Sequence, residues 1–167
     1  HGLAAAAVRR LHQHLRHHGL QALREEALGL LAQLARQGIH LTYVEDPAEA
    51  LTPETLAHYD ALLLYANHDS ITASQEQALL DYVASGHGFV PIHSASFCFR
   101  NSDAFVALVG GQFASHGRGT FTAEIVAPGH PVLAGIEPFE TWDETYVHTR
   151  HNETGRTVLM ERVDDRG

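Results

Sequence analysis

Apolar spacing changes period along the chain, and the changes mark out successive elements. In LQALREEALGLLAQLARQ (20–37), Leu20, Leu23, Ala27, Leu30, Leu31 and Leu34 recur at helical spacing. This predicts a helix that Gly38 stops as a left-handed cap. HLTYV (40–44) predicts a short strand. Asp46-Pro47 opens a loop, and Thr52-Pro53-Glu54 supplies an N-cap, a first-turn proline and a first-turn acid for a short helix. ALLLYA (61–66) and GFVPIH (88–93) are continuous apolar runs, the pattern of parallel strands buried on both faces. The helix between them starts at a capping box, Thr72-Ala73-Ser74-Gln75, and ends at Gly86. NSDAFVALVG predicts a helix capped by Asn101 or Ser102. A loop over GGQFASHGRG, an alternating strand TFTAEIVA (120–127), a turn-rich PGHPVLAGI, a loop with a short strand in FETWDETYVH and a last strand TVLMERV (157–163) follow.

Helix and strand alternate as in βαβ units, which gives an α/β fold with a mostly parallel sheet. No repeat, low-complexity tract or long linker divides the chain, so residues 1–167 read as one domain. A doubly wound sheet opens on a buried strand, and AAAAVRRLHQHLRHH is a poor one. The chain also stops soon after a strand, so terminal strands of the sheet are expected to be lacking.

Composition narrows the function classes. With 44% hydrophobic and 19% charged residues the chain is globular in type. A formal charge of −9, with only a short basic patch at Arg9, Arg10 and Arg16, argues against nucleic acid as a partner. No apolar run is long enough for a membrane span. In HGLAAAAVRR the charges follow the apolar stretch, the wrong order for a secretory signal. The compartment stays open between cytoplasm and, for a longer precursor, periplasm or exterior. The lone Cys98 excludes an internal disulfide and, set between Phe97 and Phe99, reads as a small core hydrophobe. Of 14 histidines, six fall in the first 40 residues, in a polar stretch that reads as solvated surface.

In open α/β sheets ligands bind beyond the carboxyl ends of the strands. That rule selects Asn67, His68 and Asp69 after ALLLYA, His93, Ser94, Ala95 and Ser96 after FVPI, and the loop Ser115-His116-Gly117. A histidine at a strand end can act as a base, a proton donor or a metal ligand. Trp142, Asp143, Glu144 and Tyr146 set aromatic faces beside carboxylates, a pairing that suits sugars. His130-Pro131 reads as a structural turn. No Gly-x-Ser-x-Gly elbow, phosphate loop or dinucleotide loop is present.

The stretches YVASGHGFVPIHSAS, ALVGGQFASHG, GHPVLAGI and FETWDETYVH together resemble, in order and spacing, the ThuA-like (trehalose utilisation) family. The resemblance covers about residues 38–163 and matches 1–19 poorly. It implies a flavodoxin-like, three-layer fold similar to class I glutamine amidotransferases. In those enzymes the strand corresponding to GFVPI delivers a cysteine nucleophile. His93 stands there instead, so glutamine amidotransferase activity is not expected.

The resemblance implies a role in carbohydrate utilisation, on trehalose-like disaccharides or their keto forms. His93, His116 and the segment around Glu144 and Tyr146 would then line the site. Three readings follow. The first is an acid/base sugar-processing enzyme using His93, His116 and Glu144, with Asn67, His68, Ser94, Trp142, Asp143 and Tyr146 as substrate contacts. The second is a metal-dependent variant in which His93, His116 and Glu144 hold a divalent ion. The third is a non-catalytic sugar-binding or assembly module of a larger protein, with a homo-oligomer or a fusion as its setting.

Overall fold

The computed structural model describes residues 34–163. Residues 20–33 of the helix predicted over 20–37, and the histidines of the first 18 residues, lie outside them. The described residues fall into two compact units, one of 44–120 and 142–156, the other of 34–43, 121–141 and 157–163.

The first unit opens with two one-turn helices, α1 (Pro47–Ala50) and α2 (Pro53–Leu56). α1 replaces an expected loop. Asp46 caps it by accepting from the Ala48 amide at 2.8 Å, and Pro47 takes the first helical position. Thr52 caps α2 as predicted. Strand β1 (Ala61–Leu64), helix α3 (Ala73–Ala84) and strand β2 (Gly88–Pro91) then form a βαβ unit, with β1 and β2 parallel and Ala61 to Leu64 opposite Gly88 to Pro91. The capping box of α3 is formed in full: Thr72 Oγ1 accepts from the Gln75 amide and Gln75 Oε1 from the Thr72 amide.

The two strands were expected to be buried on both faces, and they are not. Leu62, Leu64 and Phe89 pack on the core, whereas Leu63 and Val90, adjacent in register, are 43% and 48% exposed. A one-turn 3₁₀ helix (His93–Phe97) follows β2. Ser102 then caps α4 (Asp103–Val109) by accepting from the Phe105 amide, and Gly110, at φ +89°, ends it. Asn101, the other candidate cap, binds both backbone groups of Ile71, its Oδ1 accepting at 3.0 Å and its Nδ2 donating at 2.8 Å. Leu51, Ile71, Leu79, Cys98, Phe99 and Phe105 make the core, with the Phe99 and Phe105 rings edge to face at 5.0 Å.

Three strands form the other sheet. β3 (Gln112–Ile125) absorbs the predicted loop GGQFASHGRG, β4 (Phe139–Thr149) runs through the whole of FETWDETYVHT, and β5 is Met160–Val163. The order is β4-β3-β5, with β5 antiparallel to β3. The glycines of 116–119 signalled a loop. Gly117 is instead a strand glycine at a close approach, since a Cβ there would lie 2.9 Å from Thr145 Oγ1 on β4.

In the second unit Gly38, at φ +79°, follows the helical residues Leu34 and Ala35, as the left-handed stop predicted. HLTYV forms no strand among the described residues. Ile39, Leu41 and Tyr43 are exposed there, and a β-rich composition yields a strand only where a neighbouring ladder receives it. His130 caps a short 3₁₀ turn (Pro131–Leu133), the structural part expected of it.

The described residues thus give a mixed α/β fold with a parallel pair and a three-stranded sheet, where one mostly parallel sheet was expected. No described helix is long and apolar enough to cross a membrane.

Phe105→Ala should lower unfolding free energy by about 3–5 kcal/mol, and Thr72→Ala by about 1 kcal/mol. Urea titration followed by circular dichroism measures both, and equal losses would mean that the aromatic pair is not the centre of this core.

Candidate functional site

His93 stands where β2 ends, at φ +51°. This left-handed backbone is uncommon outside glycine, and histidine is one of the few side chains enriched there. β4 supplies its partners. Side chains alternate along a strand, so Asp143 and Thr145 are buried on one face while Glu144, Tyr146 and His148 lie half-buried on the other. β3, the neighbour of β4, brings His116 and Arg118.

These side chains gather around one carboxylate. Glu144 Oε2 lies 3.4 Å from His93 Nε2, and Oε1 lies 3.9 Å from His116 Nδ1 and 3.3 Å from Arg118 Nη2. The Tyr146 hydroxyl is 3.0 Å from His93 Nε2 and 3.4 Å from Nδ1, and its ring is 5.0 Å from that of His93 and 5.9 Å from that of His116. Tyr65, just past β1, presents its ring edge to His93 at 5.8 Å, and Phe113 packs on Tyr146 at 4.6 Å. Exposure is graded across the cluster, from 21% for the His93 side chain and 20% for Glu144, through 34% for His116, to 60% for Arg118. Solvent therefore reaches all four groups, and the histidine–carboxylate contact is the most sheltered part.

Two ionisable groups are displaced from their ordinary values. Burial pushes the Glu144 carboxyl up, but His116, the hydrogen bond from Arg118 and His93 pull it down harder, and its pKa is lowered. Tyr146 is pushed up to about 12, first by burial and then by the charge of Glu144. At neutral pH Glu144 is an anion and Tyr146 a protonated donor.

The predicted site residues divide. His93, His116, Glu144 and Tyr146 come together. Ser94 is half-buried in the turn that carries His93. Trp142 is 54% exposed on β4, on the same face as Glu144 by alternation. Asp143 lies on the opposite, buried face, where its carboxylate accepts from the Glu144 amide at 2.5 Å. Asn67 is exposed, and the His68 ring stacks on Phe99 while its carbonyl accepts from the Phe99 amide at 2.8 Å. The strand-end rule pointed to Asn67 and His68, yet the contact from that strand end to His93 comes from Tyr65. Cys98 is wholly buried in the core, and burial raises its thiol pKa to about 11, so it is no nucleophile.

Sequence reasoning passed over Tyr65, Phe113, Arg118 and His148. Two of these were within reach of a period-2 reading: Arg118 shares a face with His116 on β3, and His148 with Glu144 and Tyr146 on β4. Among the described residues no group of three histidine, cysteine or acidic side chains is arranged to hold a metal ion. The set His93, His116 and Glu144 comes together as a carboxylate between two histidines.

Comparisons with known proteins agree with this fold. A family model, ThuA, described as trehalose utilisation, matches residues 6–166. A crystal structure of a ThuA-like protein from Bacteroides uniformis ATCC 8492 superposes with a TM-score of 0.68 over 87% of the chain at 22% identity. The chain covers 63% of the length of that protein. No curated protein matches the sequence.

The lowered pKa of Glu144 ties it to stability. A carboxyl whose pKa is depressed on folding stabilises the fold above its unfolded value and loses that contribution as pH falls through its folded value. Glu144→Gln should therefore melt below the wild type at pH 7, with the gap closing as pH drops below the ordinary glutamate value of 4.5. Thermal melts at pH 7 and pH 3 measure this, and a gap that does not change with pH would mean that the carboxylate is not held by its cationic neighbours.

Proposed function

The chain belongs to the ThuA, or trehalose-utilisation, family, and on that premise we propose that the cluster around Glu144 performs acid/base chemistry on a trehalose-like disaccharide or its keto form. The observation that carries this reading is the single carboxylate shared by His93 and His116, with the Tyr146 hydroxyl against the His93 ring. Glu144, kept ionised, accepts from His93 Nε2–H. This selects the tautomer in which Nδ1 is basic and steadies the imidazolium that forms when Nδ1 takes a proton.

For a keto-sugar, His93 removes the proton from the carbon beside the carbonyl. The C–H electron pair forms the carbon–carbon double bond of an enolate, and the carbonyl π pair moves to oxygen. Tyr146, protonated at neutral pH, and His116 donate to that oxygen. For isomerisation the enolate oxygen takes up a proton, the hydroxyl on the deprotonated carbon gives one up and becomes the new carbonyl, and the proton held by His93 returns to the former carbonyl carbon. For elimination the carbonyl re-forms, the double bond shifts to the next carbon and the group there leaves with its bonding electrons. Glu144 orients and charges the histidine in this scheme. Its depressed pKa does not suit it to donate a proton itself.

The fold reading goes with the function. We take the βαβ unit and the ThuA-like neighbour to support one flavodoxin-like, three-layer domain over residues 1–167. A sugar-binding module carried by a larger protein is the second reading. Trp142, more than half exposed on the Glu144 face of β4, favours it as a stacking platform.

Proton exchange separates the two. In D₂O the wild type should exchange the hydrogen beside the carbonyl of 3-keto-trehalose, seen as loss of its proton resonance. His93→Ala should slow that exchange by a factor on the order of 10²–10⁴ without loss of the circular-dichroism spectrum. Wild-type exchange in His93→Ala sinks the acid/base reading. Sugar binding by calorimetry with no exchange in either protein puts the binding module in its place.

A further inference from the structure

His93 and its partners come from separate stretches of chain. His93 sits on the turn after β2, and Glu144 and Tyr146 sit on β4. Another side-chain hydrogen bond joins the same two stretches. Ser96, three residues beyond His93 in the 3₁₀ turn, has its Oγ 3.0 Å from Nε2 of His148. His148 follows Tyr146 by two residues and Glu144 by four, on the same face of β4. Ser96 is 8% exposed, and its Oγ is also 3.4 Å from the backbone carbonyl of His93 itself.

We propose that the Ser96–His148 pair positions His93, holding the left-handed turn against β4 so that the imidazole meets the Glu144 carboxylate. The left-handed φ of +51° at His93 is a strained conformation that persists only where its surroundings enforce it. The ion contact to Glu144, at 3.4 Å and within reach of solvent, is too soft to enforce it alone. A sheltered hydroxyl bonded to an imidazole makes a stiffer tie, because breaking it leaves a buried polar group unsatisfied.

Ser96 Oγ donates to the His93 carbonyl and also meets His148 Nε2, so a change at His148 bears directly on the backbone of His93. The His148 ring also lies 5.8 Å from that of Tyr146, which places the tie beside the second partner of His93. Ser96 and His148 are positioning residues in this account, and neither touches substrate.

The proposal builds on the acid/base reading, and one titration separates them. The His93 imidazole is followed by ¹⁵N NMR in the wild type and in Glu144→Gln, Ser96→Ala, Ser96→Thr, His148→Phe and His148→Gln. Removing the carboxylate in Glu144→Gln should lower the His93 midpoint by about one pH unit. Ser96→Ala and His148→Phe should move it at least half as far in the same direction while melting cooperatively. Ser96→Thr and His148→Gln, which keep a hydrogen-bonding group at each position, should restore it. The keto-sugar exchange rate should fall roughly 10–100-fold in the two disrupted variants and recover in the conservative ones. A His93 midpoint that answers to Glu144→Gln but not to Ser96→Ala or His148→Phe overturns the positioning role alone. A midpoint indifferent to Glu144→Gln overturns the acid/base reading, and the positioning role with it.

Discussion

Burial and three neighbouring side chains pull the carboxylate of Glu144 in opposite directions, and the character of the site depends on which prevails. Burial would make the carboxyl neutral. His116, Arg118 and His93 keep it charged. Once charged, it can accept from His93, attract His116 and raise the cost of ionising Tyr146. One residue thereby sets the protonation of its neighbours: an anion at the centre, imidazoles able to hold a proton at two sides, and a phenol that keeps its own. Pairs of groups driven apart in proton affinity by a shared environment are the usual equipment of proton-transfer chemistry.

The backbone does as much as the charges. A parallel strand end, a left-handed turn and an edge of a second sheet bring together residues that are far apart in sequence. The βαβ unit fixes the end of β2, and the hydrophobic centre around Leu79, Phe99 and Phe105 fixes the βαβ unit. Asn101, gripping both backbone groups of Ile71, and the Phe99 amide, donating to His68, tie the chain beyond β1 to the chain beyond the His93 turn. Close approach of β3 and β4 at Gly117 and Thr145 sets the spacing at which His116 and Arg118 meet Glu144.

Local signals in the sequence were read well where the physics is local. The capping box at Thr72, the cap at Ser102 (one of two that the sequence offered) and the stops at Gly38 and Gly86 depend on a few adjacent residues. His93 was legible because an apolar run ended on it, and Glu144 and Tyr146 because acids and aromatics cluster there. The misreadings share a cause. Gly117 looks like a loop residue until a neighbouring strand lies close enough to require its small size. HLTYV looks like a strand until no ladder receives it. Tyr65, Arg118 and His148 gain their places from pairing between distant segments, which no window of sequence contains.

The left-handed backbone at His93 also bears on how this position can change over generations. Asparagine, aspartate and glycine tolerate that conformation about as well as histidine does, whereas valine, isoleucine and threonine are strained in it. The turn is therefore a socket with a short list of fittings: an imidazole, an amide, a carboxylate or nothing. A lineage could exchange one for another without rebuilding the fold, altering the chemistry at the strand end while the sheet, the helices and the carboxylate opposite stay as they are.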